Sequence, residues 1–375
     1  VVDEERLALL TLHFVPGIGD FLLRQLMGYG GSAVAVCKMS KVRLLKIPGI
    51  GETTAQSIVT GQSRHVAERE FRKAEKYQTS ILFFTDPAFP QRLSRIEDAP
   101  ALLYVKGNTN LNTTKTVALV GTRLATPYGK DMVEQLIEGL KPHGPLIISG
   151  LAYGIDIHAH KTAIRHGLGT IGVLGSGIDI IYPAAHKDLA KRMTSQGGLI
   201  SELQFGTPPD AHNFPARNRI IAGLSDALIV VEAAASGGAL ITANIANTYN
   251  KDVFAIPGQV GQTYSEGCNQ LIKTNRANLI TSAKDVEYIM NWQQQPPGSA
   301  QLSLELPSLD HYEQLIVGAL KEKKTAMPID ELANRTGLDP GKLASHLLNL
   351  EFRNLVTPLP GKCYIVSGSK RSQDR

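Results

Sequence analysis

Arg123 follows Gly121 and Thr122 at the end of an apolar run, Thr116-Val117-Ala118-Leu119-Val120. A guanidinium is a fixed positive fork that matches phosphate oxygens. Small residues beside it leave backbone N–H groups open to an anion. The arrangement recurs along the chain. Leu146-Ile147-Ile148 runs into Ser149-Gly150-Leu151-Ala152-Tyr153-Gly154-Ile155-Asp156, and Thr170-Ile171-Gly172-Val173-Leu174 runs into Gly175-Ser176-Gly177. The apolar stretch 227–231 is followed by Ser236-Gly237-Gly238-Ala239, which opens a helix. A polar segment before Ala222 adds Phe214-Pro215-Ala216-Arg217-Asn218-Arg219. The chemistry these residues favour is capture of phosphate by backbone amides at helix N-termini, assisted by arginine.

Competing chemistries lack parts. Asp156, Asp179, Glu202 and Glu232 stand near strand ends, where a carboxylate could serve as a general base. Such residues more often cap helices or hold loop backbone, and that role is expected here. His158 and His160 are two apart and share no helical face, so with His166 they predict no metal site. The first loop is Gly-Thr-Arg rather than Gly-x-Gly-x-x-Gly, and the second strand ends at Ser149 instead of an acid for a ribose. No Walker A sequence is present. The expectation is a binding protein with neither cofactor nor metal.

Apolar strands that each finish in a small-residue loop before a helix predict an α/β fold. It is an extended Rossmann-like, mostly parallel sheet with ligand loops at the carboxyl edge. That domain is predicted over 79–292, with further strands near 80–84, 101–105, 199–200, 227–231, 253–256 and 278–280. Residues 1–78 are helical in pattern and carry a near-repeat, Phe14-Val15-Pro16-Gly17-Ile18-Gly19 and Lys46-Ile47-Pro48-Gly49-Ile50-Gly51. It resembles paired helix-hairpin-helix motifs, whose glycines allow a tight turn and whose amides can hold a DNA phosphate. Gln293-Gln294-Gln295-Pro296-Pro297 opens a linker over 293–307. Residues 308–367 read as three helices and a hairpin, a winged helix-turn-helix whose third helix carries Lys342, His346 and Arg353 but also Glu351. The last residues, 368–375, are expected to be a disordered tail.

Composition is that of an ordinary globular protein, 43% hydrophobic and 19% charged. A net charge of +5 is compatible with a polyanionic partner. Cys37, Cys268 and Cys363 are far apart, which suits a reducing cytoplasm. The acids of Val-Val-Asp-Glu-Glu at the start argue against a signal peptide, and no membrane span is expected.

Val120-Gly121-Thr122-Arg123, Ser149-Gly150-Leu151-Ala152-x-Gly154-Ile155-Asp156, the run from Phe214-Pro215-x-Arg217-Asn218-Arg219 to Ser225, Ser236-Gly237-x-x-x-Ile241-Thr242-Ala243, Pro257-Gly258 and Gly267-Cys268-Asn269-x-Leu271-Ile272 resemble the DNA-processing protein A family, DprA or Smf. The resemblance implies a non-enzymatic protein of natural transformation. Such a protein binds and protects incoming single-stranded DNA, loads the RecA recombinase onto it, and works as a homodimer. The implied DNA contacts are Gly121, Thr122, Arg123, Ser149, Gly150, Ala152, Gly154, Phe214, Arg217, Asn218, Arg219, Ser236, Gly237, Gly238 and Thr242. Two family lysine positions are held here by Ala184 and the Ala211-His212 region, with Lys187 and Arg217 as the stand-in charges. Apolar Leu271, Ile272, Leu279 and Ile280 are expected to form the dimer contact, because few later elements remain to cover them. The domain also resembles phosphoribohydrolase-like Rossmann enzymes with a Pro-Gly-Gly-x-Gly-Thr-x-x-Glu loop. The chain lacks the second Gly-Thr pair and the Glu of that loop, which favours binding over hydrolysis.

Overall fold

The structure is a computed structural model that describes residues 3–292, 309–323, 326–353, 355–359 and 361–366. The predicted linker, 293–307, and the tail, 368–375, lie outside the described residues. Two compact units divide at Gln293 and Gln294.

In the first unit the apolar runs become strands of one sheet: β1 (Ser80–Phe83), β2 (Leu102–Gly107), β3 (Thr116–Val120), β4 (Leu146–Ser149), β5 (Thr170–Val173), β6 (Gly197–Ser201), β7 (Ala227–Val230), β8 (Asp252–Ala255) and β9 (Asn278–Leu279). Their order is β1-β2-β6-β5-β4-β3-β7-β8-β9. Pairing is parallel from β6 to β9, while β1 and β2 join antiparallel at one edge. β3, β4, β5 and β7 are buried at every position, as strands covered on both faces must be. Alternation along β3 divides the core. Val117 and Leu119 pack with helices Pro127–Leu140 and Ile155–Arg165, whereas Ala118 and Val120 face helices Asn213–Leu224 and Gly238–Thr248.

Residues 3–78 form the expected helices, and Gly17 (φ 87°) and Gly49 (φ 86°) take the left-handed turns their hairpins need. The segment is no free-standing body, since Leu10, Leu23 and Ala67 share a core with Phe83, Tyr104 and Leu189 of the α/β layer. Buried Glu70 fastens the join by accepting from the Tyr104 hydroxyl (3.0 Å) and the Phe205 amide (3.0 Å).

The expected self-contact needs correction. Leu271 and Ile280 are interior residues, 5% and 0% exposed. Helix Glu266–Lys273 turns Leu271 into the core beneath β8, and helix Ala283–Ile289 closes Ala283 and Val286 over Ile280. Enough chain therefore follows β9 to cover this surface. Ile272 is partly buried, and Leu279 remains half exposed on the edge strand.

The second unit has helices His311–Lys323, Ile329–Thr336 and Pro340–Phe352, with strands β10 (Met327–Pro328), β11 (Val356–Leu359) and β12 (Cys363–Val366) in the order β10-β12-β11. It is a winged helix around Ile316, Leu332, Leu343 and Leu347. Two basic residues of its third helical region face inward. Arg353 pairs with Glu313 (2.8 Å) and His346 lies 3.4 Å from Asp310. Among the described residues no helix is long and apolar enough to cross a membrane.

Candidate nucleic-acid interface

The strand order reverses at β3, which has β4 on one side and β7 on the other. Loops leaving two such strands diverge, and a crevice opens at their carboxyl ends. It is a cleft of about 730 Å³. Of the predicted DNA contacts, Gly121, Thr122, Arg123, Ala152, Phe214, Arg217, Asn218, Ser236, Gly237, Gly238 and Thr242 line it. Ser149, Gly150, Gly154, Lys187 and Arg219 do not.

The β3 loop is held from below. The Thr122 amide donates to the Glu232 carbonyl (2.7 Å), and the Thr122 carbonyl accepts from the Ile155 amide (3.1 Å). Gly154, at φ 78°, passes so close that a Cβ there would meet the Thr122 carbonyl oxygen. Arg123 projects from this clamped loop. Its side chain is exposed and makes no hydrogen bond or ion pair among the described residues, and its guanidinium carbon lies 5.9 Å from the Phe214 ring centre. Across the cleft, exposed Ser236, Gly237 and Gly238 begin helix Gly238–Thr248, whose N-terminus no side chain caps. Gly237, at φ 143°, has open space where a Cβ would be. First-turn amides without an intrahelical acceptor are an anion site.

Aromatic surface completes the cleft. Half-buried Phe214 and 47% exposed Tyr182 stand with ring centres 5.7 Å apart. Tyr182 escaped the sequence reading, although an aromatic side chain beside Pro183 at the close of a glycine loop was a signal for it.

Other predicted contacts serve the fold. Arg217 is buried, and its Nη1 donates to the carbonyls of Gly150 (2.6 Å) and Val173 (2.5 Å). Burial lowers its pKa to about 10 against the pull of Asp156. Arg217 thus forms the floor of the cleft instead of a surface charge. The Asp156 carboxylate, raised by burial and opposed first by Arg217, accepts from the amides of Gly150 (3.1 Å) and Ala152 (3.4 Å). Those two amides are therefore already occupied. The Ser149 hydroxyl donates to the Leu119 carbonyl (2.6 Å), and that of Thr242 to the Gly238 carbonyl (2.8 Å). Asn218 reaches the Gly238 carbonyl at 3.5 Å. Arg219 turns away, pairs with Glu202 and donates to the Asp98 carbonyl (2.6 Å). Lys187 is exposed outside the cleft.

The remaining carboxylates have structural partners too. Glu232 accepts from the Thr126 amide (3.0 Å) and hydroxyl (2.5 Å) at the start of helix Pro127–Leu140. Asp179 accepts from the Gly206 amide (2.9 Å). Burial pushes Glu202 up to about 7 despite Arg219. Of the histidines, His166 bonds Glu134 (3.0 Å), His158 lies 4.0 Å from it, and His160 is buried against Thr170.

The profile of the family described as DNA recombination-mediator protein A matches residues 80–291, and that of the DprA winged helix domain matches residues 300–362. The chain is 32% identical over 399 aligned residues to protein Smf of Synechocystis sp., across 97% of its own length and 99% of the relative's. The X-ray structure of DNA processing protein A from Streptococcus pneumoniae is similar with a TM-score of 0.66 and 35% identity, covering 76% of this chain and 98% of that one. A second similar structure, with a TM-score of 0.53 and 30% identity, covers 58% of this chain and 98% of its own. It belongs to a Helicobacter pylori DNA processing protein A described for its single-stranded DNA binding mode. The chain belongs to the DNA recombination-mediator protein A family, DprA or Smf.

Proposed function

We propose that this protein binds single-stranded DNA in the crevice at the β3–β7 switch point, protects an incoming strand during natural transformation, and loads a RecA recombinase onto it. The observation that carries the reading is that the unpaired Arg123 side chain, the uncapped N-terminus of helix Gly238–Thr248 and the rings of Phe214 and Tyr182 line one cleft. Phosphate takes the charged and N–H-rich points, while bases stack on aromatic faces, the usual division of labour in single-strand binding. The Helicobacter pylori relative supports the choice of ligand.

The reading assigns no catalysis. Glu232 is committed to Thr126 and Asp156 to its own loop, so neither stands free as a base. Incubation with nucleoside monophosphates or NAD should give no product, and turnover abolished by Glu232→Gln would reverse the assignment. We place homodimer contact at the β9 edge, where Leu279 is exposed, because a linked pair of crevices holds a strand through effective concentration.

Anisotropy titration of a labelled single-stranded oligonucleotide, competed with unlabelled duplex and followed by a RecA strand-exchange assay, tests the proposal. Binding that duplex fails to displace, with faster exchange in the protein's presence, is expected. Equal competition by duplex would overturn single-strand selectivity, and exchange unaffected at saturating protein would overturn loading. Leu279→Asp should give folded monomers with weaker binding, and an unchanged dimer would move the self-contact elsewhere.

A further inference from the structure

Arg123 has a second side. Beyond the crevice it lines another groove, of about 580 Å³, cut between helices Pro127–Leu140 and Ile155–Arg165. The loop after β4 is the divide, with Ala152 lining the crevice and Tyr153 and Gly154 lining the groove. The groove's basic lining residues are Arg123, Lys130, His158 and Lys161, with no Asp or Glu beside them in the lining. Lys130 and Lys161 are exposed, and neither side chain makes an ion pair or hydrogen bond among the described residues. Glu134, the nearby carboxylate on the same helix as Lys130, is already held by Arg165 (2.6 Å), His166 (3.0 Å) and the Thr162 hydroxyl (3.0 Å). The groove's own lining therefore carries net positive charge.

The groove also has a fixed aromatic face. Tyr153 is 48% exposed, yet its ring is positioned edge-on by His186, with centres 4.9 Å apart and an interplanar angle of 73°. His186 is itself buried and anchored to the Leu151 carbonyl (2.8 Å). Ordering of the ring by the fold lowers the entropic cost of stacking a base on it. Basic side chains that follow a backbone, interrupted by an aromatic platform, are the pattern of a single-strand track.

We propose that this groove is a second single-strand subsite. The strand leaving the crevice turns over Arg123, stacks a base on Tyr153, and lays its phosphates on Lys130 and Lys161. The inference rests on the crevice itself holding single-stranded DNA. It adds a direction of travel and three contact residues that the family motifs do not include.

The test uses the full chain and labelled oligothymidylates of about 4 to about 16 nucleotides, each titrated across a salt series. Oligonucleotides short enough to sit in the crevice alone should bind Lys130→Gln/Lys161→Gln as they bind the unaltered protein. On the longest ones the same double variant should lower the salt slope by about 1.4, two contacts at about 0.7 each. Tyr153→Ala should lose roughly 5- to 150-fold on long oligonucleotides only, the range for one stacked base, while Tyr153→Phe keeps the affinity. Lys141→Gln/Lys284→Gln, which removes two exposed lysines outside both clefts, controls for net charge. A double variant that matches the unaltered protein at every length overturns the subsite. Equal losses at the shortest and longest lengths overturn it as well. If the unaltered protein binds no single strand of any length, the crevice reading fails and the groove with it. Binding by the unaltered protein with indifferent variants removes the groove alone.

Discussion

Arg123→Glu separates a phosphate contact from a structural arginine. The side chain is exposed and unpaired, so removing it should change stability by no more than about 0.5 kcal/mol. Each phosphate contact on a single strand adds about 0.7 to the salt slope. Extrapolated from 1 M salt to about 0.15 M, one contact is worth a factor of about four. Glutamate loses that contact and adds a repulsion of similar size, for a total on the order of tenfold in affinity. The loss should vanish toward high salt. Arg123→Lys supplies the contrast. It keeps the charge, and so the slope, but gives up the planar fork beside Phe214, worth about 0.5–1 kcal/mol at an exposed site. The assay is anisotropy at several salt concentrations, with chemical denaturation as the check on folding. A folded Arg123→Glu chain with unaltered affinity and slope would refute the reasoning and move the phosphate site elsewhere.

Three further changes should act through the fold. Arg217→Gln should cost about 3 kcal/mol, seen as a lower denaturation midpoint, because it strips the Gly150 and Val173 carbonyls of a charged donor and leaves Asp156 without a facing cation; full stability would place Arg217 at the surface. Gly154→Ala forces a side chain onto φ 78° and into the Thr122 carbonyl, so it should cost about 1–3 kcal/mol and weaken DNA binding by displacing the Arg123 loop; a stable variant with full affinity would contradict the clamp. His160 is buried and held neutral, its pKa lowered from 6.5 to about 3 by burial first and by His186 and Arg217 after it. The unfolded chain takes up a proton below pH 6.5 that the folded one refuses, so stability present above 6.5 is lost as pH falls toward about 3. The loss is at most about 1.4 kcal/mol per pH unit, and His160→Gln should flatten that part of the stability–pH curve; an unchanged slope would show that the imidazole is solvated.

Strands β3, β4, β5 and β7 were legible because a parallel strand covered on both faces must be apolar throughout. Their small-residue loops pointed to the carboxyl edge for the same reason. Strand order was not legible, and only the reversal at β3 shows which loops share a cleft. Arg123 and Arg217 look alike as residues near phosphate motifs, but one is exposed and the other is floor. Helical spacing held a clue, since Arg217 lies three, four and seven positions before Ile220, Ile221 and Leu224, all buried. Leu271 and Ile280 misled because an apolar residue near a sheet edge reads the same whether a later helix covers it or a partner does. The short helix Ala283–Ile289 decides the matter for Ile280. A loop-holding role for Asp156 is legible from its place near a strand end, but the sequence does not show that it occupies the amides of Gly150 and Ala152, the very groups a phosphate would need.

Cross-linking of the full chain to a single strand carrying 5-iodouracil, followed by peptide mapping, tests the central claim most directly. The aromatic walls of the crevice are the acceptors, so adducts should fall on Phe214 and Tyr182, should disappear with an excess of unlabelled single strand, and should persist with duplex competitor. Adducts confined to the hairpins around Gly17 and Gly49, or to the winged-helix unit, with none at Phe214 or Tyr182, would contradict single-strand binding at the switch-point crevice.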